Sequence, residues 1–446
     1  MDYNQVLTIG FDDTDSPKGM CTTFLAYRIV EEIKKTNCEF IDFPKLIRFN
    51  PNIPWKTRGN GAVSLSIKTN NSSRIKNKIK NLVKKYSDIK NGANPGLVFY
   101  EKENISKKLT EFSNLALWQL ISRNYAKKFA IQQNLDFFYL GNGQGLVGAI
   151  GAIGYQFNDH TLELLSYRKK SQFGKKREIS IQSVKEMQKK TAPLTFNNFD
   201  TQKNRVLITP RGPDPVFYGI RGEKIDSLLH AAKILKHKEQ LDGYMIFKSN
   251  QGTGDHLKNE LDVNNTKPYY SGKITGVVSS IPKTIRGGHV FFHILSKSAE
   301  ILCAVYSPTG LGFVARNLAL GDKICVGGGI RKASRHNPRA LNTEFIKILS
   351  LKKILQESNP LCVNCNKKMK SKGVGQNFQC IKCGAMSSTK EITQIPRQIQ
   401  NQLYIPKISA HRHLTRPEQR LNMNNDDSKF IKSNSWFHTF RNYSGE

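Results

Sequence analysis

The chain has 446 residues, with 69 Lys+Arg against 35 Asp+Glu and a formal net charge of +34. That length exceeds one hydrophobic core and implies roughly three or four modules, while 38% apolar and 9% aromatic residues exclude wholesale disorder. The cationic field selects polyanions; no apolar run reaches bilayer length and the N-terminus carries no secretory pattern, which favours nucleic acid, in the cytoplasm, over a membrane.

In chain order, Val6–Phe11 is predicted as a short strand running into Asp12, Asp13 and Asp15. A Gly19-Met20-Cys21-Thr22-Thr23 turn follows, then a helix with Phe24, Leu25, Ile29, Val30 and Ile33 on its apolar positions. Acids at the carboxyl end of a strand stand where α/β enzymes place their chemistry. Three of them repel one another unless a cation joins them, and Mg²⁺ with phosphate oxygens is the usual answer. Thr22 and Thr23 fall at the helix N-terminus, which favours an anion. Together these features point to phosphoryl transfer. The bland alternative is turn and cap chemistry, which two acids would fit better than three. No P-loop string follows any strand. The acids partly mimic a haloacid-dehalogenase-like phosphatase, with Pro17 at the position where Thr or Val is needed.

Leu46–Phe49 is predicted as a strand leading into the loop Asn50–Gly61. Lys56, Arg58 and the backbone around Gly59, Asn60 and Gly61 suit oxyanions, and a hairpin turn is the alternative. Helices are expected around Ile75–Tyr86, with its lysines as a solvated face, and over 108–133. The glycine-rich stretch Gly141–Ile150 opens another apolar element and is not a dinucleotide fingerprint. After a strand at Leu162–Tyr167, the run 168–190 carries nine basic residues against two acids. It serves equally well as a phosphate-backbone contact or as a charged loop. From Val206 the order is strand, a Pro-Arg-Gly-Pro-Asp-Pro loop, strand, Gly219–Glu223, helix and strand, as in a ferredoxin-like α+β layer. The turn Ser249–His256 either binds a polar ligand or caps the next helix.

Between about 268 and 352, five short β-rich runs predict an OB-type barrel, in which Phe291, Phe292 and Tyr306 are base-stacking or core residues. Cys362, Cys365, Cys380 and Cys383 form two Cys-x-x-Cys knuckles, a zinc ribbon whose four thiolates give the metal a structural role. Cys21, Cys38, Cys303 and Cys325 are single, as in a reducing compartment. Beyond 390 the chain is polar, with a basic stretch at His411-Arg412-His413, and the last twenty residues are expected to be poorly ordered.

Taken together, Asp12–Ser16 with Gly19–Thr23, the Asn50–Gly61 loop, Tyr218–Gly222, Gly287–Phe292 and the four-cysteine ribbon resemble the archaeal tRNA(Ile) 2-agmatinylcytidine synthetase family, over about residues 6–423. The resemblance implies ATP-dependent joining of agmatine to carbon 2 of the wobble cytidine of the minor isoleucine tRNA. ATP ends as AMP, and decoding changes from AUG to AUA. It implies a multidomain α+β chain: a kinase-like α/β N-terminal domain (1–135), a ferredoxin-like domain (136–266), an OB-fold barrel (267–355), a zinc ribbon (356–390) and a basic C-terminal segment (391–446). Asp12, Asp13, Asp15 and Thr22, the last a phosphorylated threonine by position, correspond to the catalytic set. Gly19, Thr23, Lys56, Arg58, Gly59, Asn60 and Gly61 correspond to the ATP site with Mg²⁺. Agmatine is a dication, and its candidate contacts are Asp214, Arg221, Glu223, Asp255 and His256; here Thr253-Gly254-Asp255-His256 departs from the family's Thr-Asp-x-His. Arg168, Lys169, Lys170, Lys175, Lys176, Arg177, Phe291, Phe292 and Arg412 are the candidate tRNA contacts. A competing class is a non-catalytic OB and zinc-ribbon binder of nucleic acid with a nucleotide-sensing N-terminal domain.

Overall fold

A computed structural model describes residues 5–425 and 434–440 of the chain. Its centre is an eleven-stranded sheet. Along the main path the order is Asp136–Tyr139, Gly96–Tyr100, Gln5–Asp12, Gly61–Thr69, Lys45–Arg48, Leu241–Ser249, Thr161–Arg168, Val216–Gly222 and Thr195–Phe196. The joint between the two halves of this sheet is parallel, with Lys45 opposite Lys248 and Leu46 opposite Ser249. The first strand shows how both faces are used. Leu7, Ile9 and Phe11 alternate into a core shared with Phe24, Ile29 and Ile75. On the other face, Gly10 and Gly96 carry no side chain because the helix Leu146–Gly154 lies directly on them; a Cβ at either would collide with backbone at or just before that helix. The glycine-rich stretch after residue 141 is therefore a close-packing device.

Polar caps start several helices. Asn71, Ser106, Ser122 and Ser180 each accept from the backbone N–H three residues on. Ser122 divides the single helix expected over 108–133 into Lys107–Trp118 and Arg123–Gln132.

Residues 271–350 form a closed five-stranded barrel. Ser271–Val278 pairs with Lys323–Arg331, which pairs with Ala340–Ser350, which runs parallel to Ala299–Val305; Val290–Ser296 then closes the ring on Ser271–Val278. The four-cysteine segment stands out from this body on a two-stranded stalk, Ile354–Ser358 against Glu391–Ile395.

Beyond the stalk the chain does not trail away. Leu403–Tyr404 adds to the barrel, residues 406–425 return to the large sheet, and Phe437–Thr439 pairs with Leu241–Ser249. Trp436 and Phe437 are buried, so this part of the last twenty residues is ordered, against expectation; 427–433 and 441–446 lie outside the described residues. The anchor of the returning segment is Arg420. It is fully buried and bonded to Glu223 (2.7 Å), Asp159 (2.8 Å) and the carbonyl oxygens of Gly252 (2.8 Å) and His160 (3.1 Å). Removing one partner of such a group strands buried charge. Arg420→Ala is expected to destabilise the fold by about 3–5 kcal/mol, read as a lowered urea midpoint.

Candidate active site

The parallel joint brings the ends of both halves to one place. Lys45–Arg48 leads into loop 49–60, and Leu241–Ser249 leads into turn 250–256, on the same edge. Asn250 locks the two, accepting from Arg48 N (2.8 Å) and donating to Arg48 O (3.0 Å). The cavity at this edge has a volume of about 580 Å³, and its wall includes Asp12, Asp13, Asp15, Thr22, Thr23, Lys56–Gly61, Glu163, Arg221 and Arg412.

At the end of the first strand, Asp12 and Asp13 are partly buried and Asp15 is buried. Gly148 leaves the space that Asp12 fills, since a side chain there would overlap the carboxylate. Asp13 adopts a left-handed conformation (φ 56°) that redirects the chain. Burial, then the neighbouring Asp13 charge, raises Asp12 well above the usual carboxylate range; burial and the Asp15 charge push Asp13 up to about 7. Asp15 is raised chiefly by burial, opposed by Arg58 (3.2 Å) and the Thr57 hydroxyl (3.1 Å). Among the described residues neither Asp12 nor Asp13 has an ion pair. An oxygen donor set this crowded and uncompensated fits a hard divalent cation such as Mg²⁺.

The helix Thr22–Ile33 points its N-terminus at the same place, and its N-cap, Cys21, makes no side-chain capping bond. Its first amides stay available to an anion. Thr14 donates to the Thr22 hydroxyl oxygen (3.1 Å) and Tyr167 donates to Thr23 O (2.9 Å), which fixes this turn.

Across the cavity, Arg58 (φ 41°) donates to Met20 O (2.7 Å) and Ser16 O (3.3 Å), clasping the acidic turn. Gly59 and Gly61 lie against His413 and Arg48, with no room for a side chain. The loop is also tied to the barrel. Asn50 donates to Tyr269 O (2.8 Å) and accepts from Ser271 Oγ (2.7 Å); Asn52 donates to Ser271 Oγ (2.8 Å) and accepts from Arg412 (2.8 Å). Arg412 in turn meets Glu344 on the barrel at 3.2 Å, and Glu344 accepts from His256 (3.0 Å). The back wall is Glu163, bonded to Gln251 and near Arg221 (3.3 Å) and Arg48 (3.9 Å). His413 rests against Gln251 (2.7 Å) and Arg221 (3.1 Å). Burial, then Arg48 and Arg221, holds His413 well below its usual range, so it is neutral near pH 7.

The expected residues divide accordingly. Asp12, Asp13, Asp15, Thr22, Thr23, Lys56, Arg58, Gly59, Asn60, Gly61, Asp214, Arg221 and Arg412 meet at the cavity. Gly19 closes the Ser16 turn instead. Glu223, Asp255 and His256 do not line it, because they hold Arg420, Tyr155 and Glu344 respectively. Arg168 is fully buried on Glu239 (2.7 Å), Arg177 is spent on backbone carbonyls, and Phe292 lies in the barrel core, so none is free to contact RNA. Lys169, Lys170, Lys175 and Lys176 are exposed and Phe291 is partly so. Sequence reasoning missed Arg48, Asn52, Gly148, Glu163 and His413; only the glycine spacing and the His411-Arg412-His413 cluster hinted at any of them.

Away from the cavity, the sulfurs of Cys362, Cys365, Cys380 and Cys383 lie within 4.8 Å of one another. That spacing fits tetrahedral thiolate ligation of zinc. Backbone N–H groups of Cys383 and Lys382 hold the Cys380 thiol down to about 6, towards the thiolate a metal takes.

Fold and cavity together define a multidomain α+β protein that sets a carboxylate cluster against cationic loops and carries a thiolate metal ribbon. Three families match in order: the TiaS TCKD domain over residues 8–142, the TiaS FLD domain over 143–256 and the TiaS C-terminal zinc ribbon domain over 359–399. The tRNA(Ile) 2-agmatinylcytidine synthetase TiaS of Cenarchaeum symbiosum is 46% identical over 414 residues, 93% of this chain and 92% of that protein. Its counterpart in Methanocaldococcus jannaschii is 39% identical over 432 residues, 94% and 99% of the two. A crystal structure of TiaS in complex with its isoleucine tRNA and ATP superposes with a TM-score of 0.83 at 34% identity, covering 96% of this chain and 100% of that one. A complex of TiaS with the same tRNA, AMPCPP and agmatine gives 0.81 at 32% identity, with the same coverage. The chain belongs to the TiaS family of tRNA(Ile) 2-agmatinylcytidine synthetases. No helix among the described residues is long and apolar enough to cross a membrane.

Two outcomes test the geometry. Because Asp13 binds its proton more tightly folded than unfolded, its contribution favours the cation-free fold at low pH and is lost as pH rises through about 7. Asp13→Asn is therefore expected to melt above the parent at about pH 8, with the gap shrinking by about pH 5. Chelation is expected to release one zinc per chain and unfold the ribbon alone. Trp55, Trp118 and Trp436 all lie outside it, so tryptophan fluorescence should stay unchanged.

Proposed function

We propose that this protein is an ATP-dependent enzyme that joins agmatine to the wobble cytidine of the minor isoleucine tRNA, giving 2-agmatinylcytidine. The observation that carries this reading is the convergence of Asp12, Asp13, Asp15 and Thr22 with Lys56 and Arg58 on one cavity, in a chain matching its relatives along nearly their whole length. The first part of the sheet acts as the kinase-like, cytidine-activating domain and the second as the ferredoxin-like domain. The barrel is an OB domain: five strands closed with the third and fifth parallel. The ribbon and the basic C-terminal segment complete the chain.

A carbonyl oxygen on the pyrimidine is a poor leaving group. Transfer of the terminal phosphoryl group of ATP to the oxygen on cytidine carbon 2 makes it a good one, and transfer of the next phosphoryl to the Thr22 hydroxyl, and from there to water, leaves AMP. The agmatine amine then attacks that carbon; the C–N bond forms, the C–O bond breaks and phosphate departs. Lys56, Arg58 and the helix N-terminal amides at Thr22–Thr23 line one cavity, where they would meet the transferring oxygens. Thr22, receiving a hydrogen bond from Thr14, is held where its hydroxyl can take a phosphoryl group. Mg²⁺ bound by Asp12 and Asp13 would offset negative charge on the nucleotide. Of the acids expected to grip agmatine, Asp214 lines the cavity, and Glu163 joins it there.

With purified minor isoleucine tRNA, ATP and agmatine, mass analysis of the wobble nucleoside is expected to show the agmatine adduct together with AMP. Asp12→Asn should lower turnover by at least about 100-fold while leaving tRNA affinity unchanged. Turnover without the adduct, or an adduct formed equally by Asp12→Asn, overturns the reading.

A further inference from the structure

The Thr209–Asp214 loop faces the cavity, yet it holds none of the acidic or phosphate-loop chemistry described above apart from Asp214. Its shape is imposed from behind by one side chain. Arg177 donates to the carbonyl oxygens of Val216 (2.7 Å), Pro210 (3.0 Å), Gly212 (2.8 Å) and Asp214 (2.7 Å). Prolines at 210, 213 and 215 remove backbone donors and rotational freedom from the same stretch. The charge of Asp214 is already engaged by Arg177 (3.3 Å) and Arg58 (3.9 Å). A rigid loop built this way presents Arg211 outward and exposed. Arg205 lines the same cavity, with its Nε buried and unpartnered. Among the described residues neither arginine has an acid within ion-pair distance. Asp200, opposite Arg205 in its short strand pair, is buried and accepts from Lys203 N through Oδ1, while its Oδ2, like Arg205 Nε, has no partner.

Exposure varies along the cavity wall: Arg211 is exposed, Arg205, Asp12 and Asp13 are intermediate, and Asp15 lies buried. A base that must reach the acids brings its own backbone past the arginines, and a phosphodiester is an anion that gives up its condensed counterions to an arginine that neutralises it. We propose that Arg211 and Arg205, presented by the Arg177-pinned loop, grip an RNA phosphate next to the nucleotide being modified. This assignment rests on the reaction proposed above. It moves the phosphate-contact role from Arg177, which shapes the loop, to Arg211, which the loop displays.

The test measures binding of the minor isoleucine tRNA to the full-length protein over a salt series, alongside steady-state kinetics. Arg211→Ala and Arg205→Ala are each expected to weaken tRNA binding about five- to tenfold and to lower the slope of log affinity against log salt, the double variant lowering it by about one. KM for ATP and for agmatine should stay within about twofold, and Arg211→Lys should keep the salt slope. Unchanged tRNA affinity and slope overturn the proposal. A raised KM for ATP at constant tRNA affinity also overturns it, by assigning the arginines to nucleotide phosphate. The binding arm needs no turnover, so failure of the wild-type protein to make the adduct would sink the proposed reaction and leave this arm readable.

Discussion

The cavity depends on a parallel pairing only two residue pairs long. Lys45 and Leu46 run beside Lys248 and Ser249, and because parallel strands end on the same side, both exits open at one edge of the sheet. Gln5–Asp12, one strand away across Gly61–Thr69 and therefore running in the same direction as Lys45–Arg48, ends at that edge with Asp12, while Thr161–Arg168, antiparallel to Leu241–Ser249, begins there and supplies Glu163. Slipping the joint by one residue would turn every side chain of the short strand to the other face. Asn250, bonded to both backbone groups of Arg48, and Ser249, whose hydroxyl donates to Leu46 O (2.6 Å), hold it in place.

Around that joint, the walls come from four distant parts of the chain, and they are held by polar rather than apolar contacts. Asn50, Ser271, Asn52, Arg412 and Glu344 form a continuous chain from the oxyanion loop through the barrel to the returning segment. Each such bond contributes only about 0.5–1.5 kcal/mol net, whereas leaving a buried partner unsatisfied costs about 1–3 kcal/mol. Asn50 and Ser271 are fully buried, so the contact is sharply specified in geometry: a slightly misplaced barrel is penalised at several groups together. The barrel therefore helps set the shape of a loop that it does not itself contain.

What the sequence made legible follows from range. The acidic strand end, the helix behind it and the cysteine knuckles are local patterns in which neighbouring residues do the work. The glycines at 145 and 148 read only as the opening of an apolar element, because what Gly148 makes room for, the Asp12 carboxylate, is remote in sequence. Arg168 and Arg177 looked like surface cations because nothing nearby announced Glu239 or the carbonyls of the proline loop. Glu163 sits in a strand of buried residues, and its place beside Arg221 comes only from strand register. Composition likewise promised a loose end over the last twenty residues, where Phe437–Thr439 instead pairs with the large sheet.

The stalk beneath the metal ribbon gives this architecture a freedom the rest of it lacks. Ser358 faces Glu391 and Ile354 faces Ile395, so the outgoing and incoming chain cross the same short bridge side by side. Everything beyond that bridge is a cassette whose length and sequence can drift without re-registering barrel or sheet. Where the cavity must keep its form to carry out one reaction, the far end of the molecule can change at little structural cost to the body that bears it.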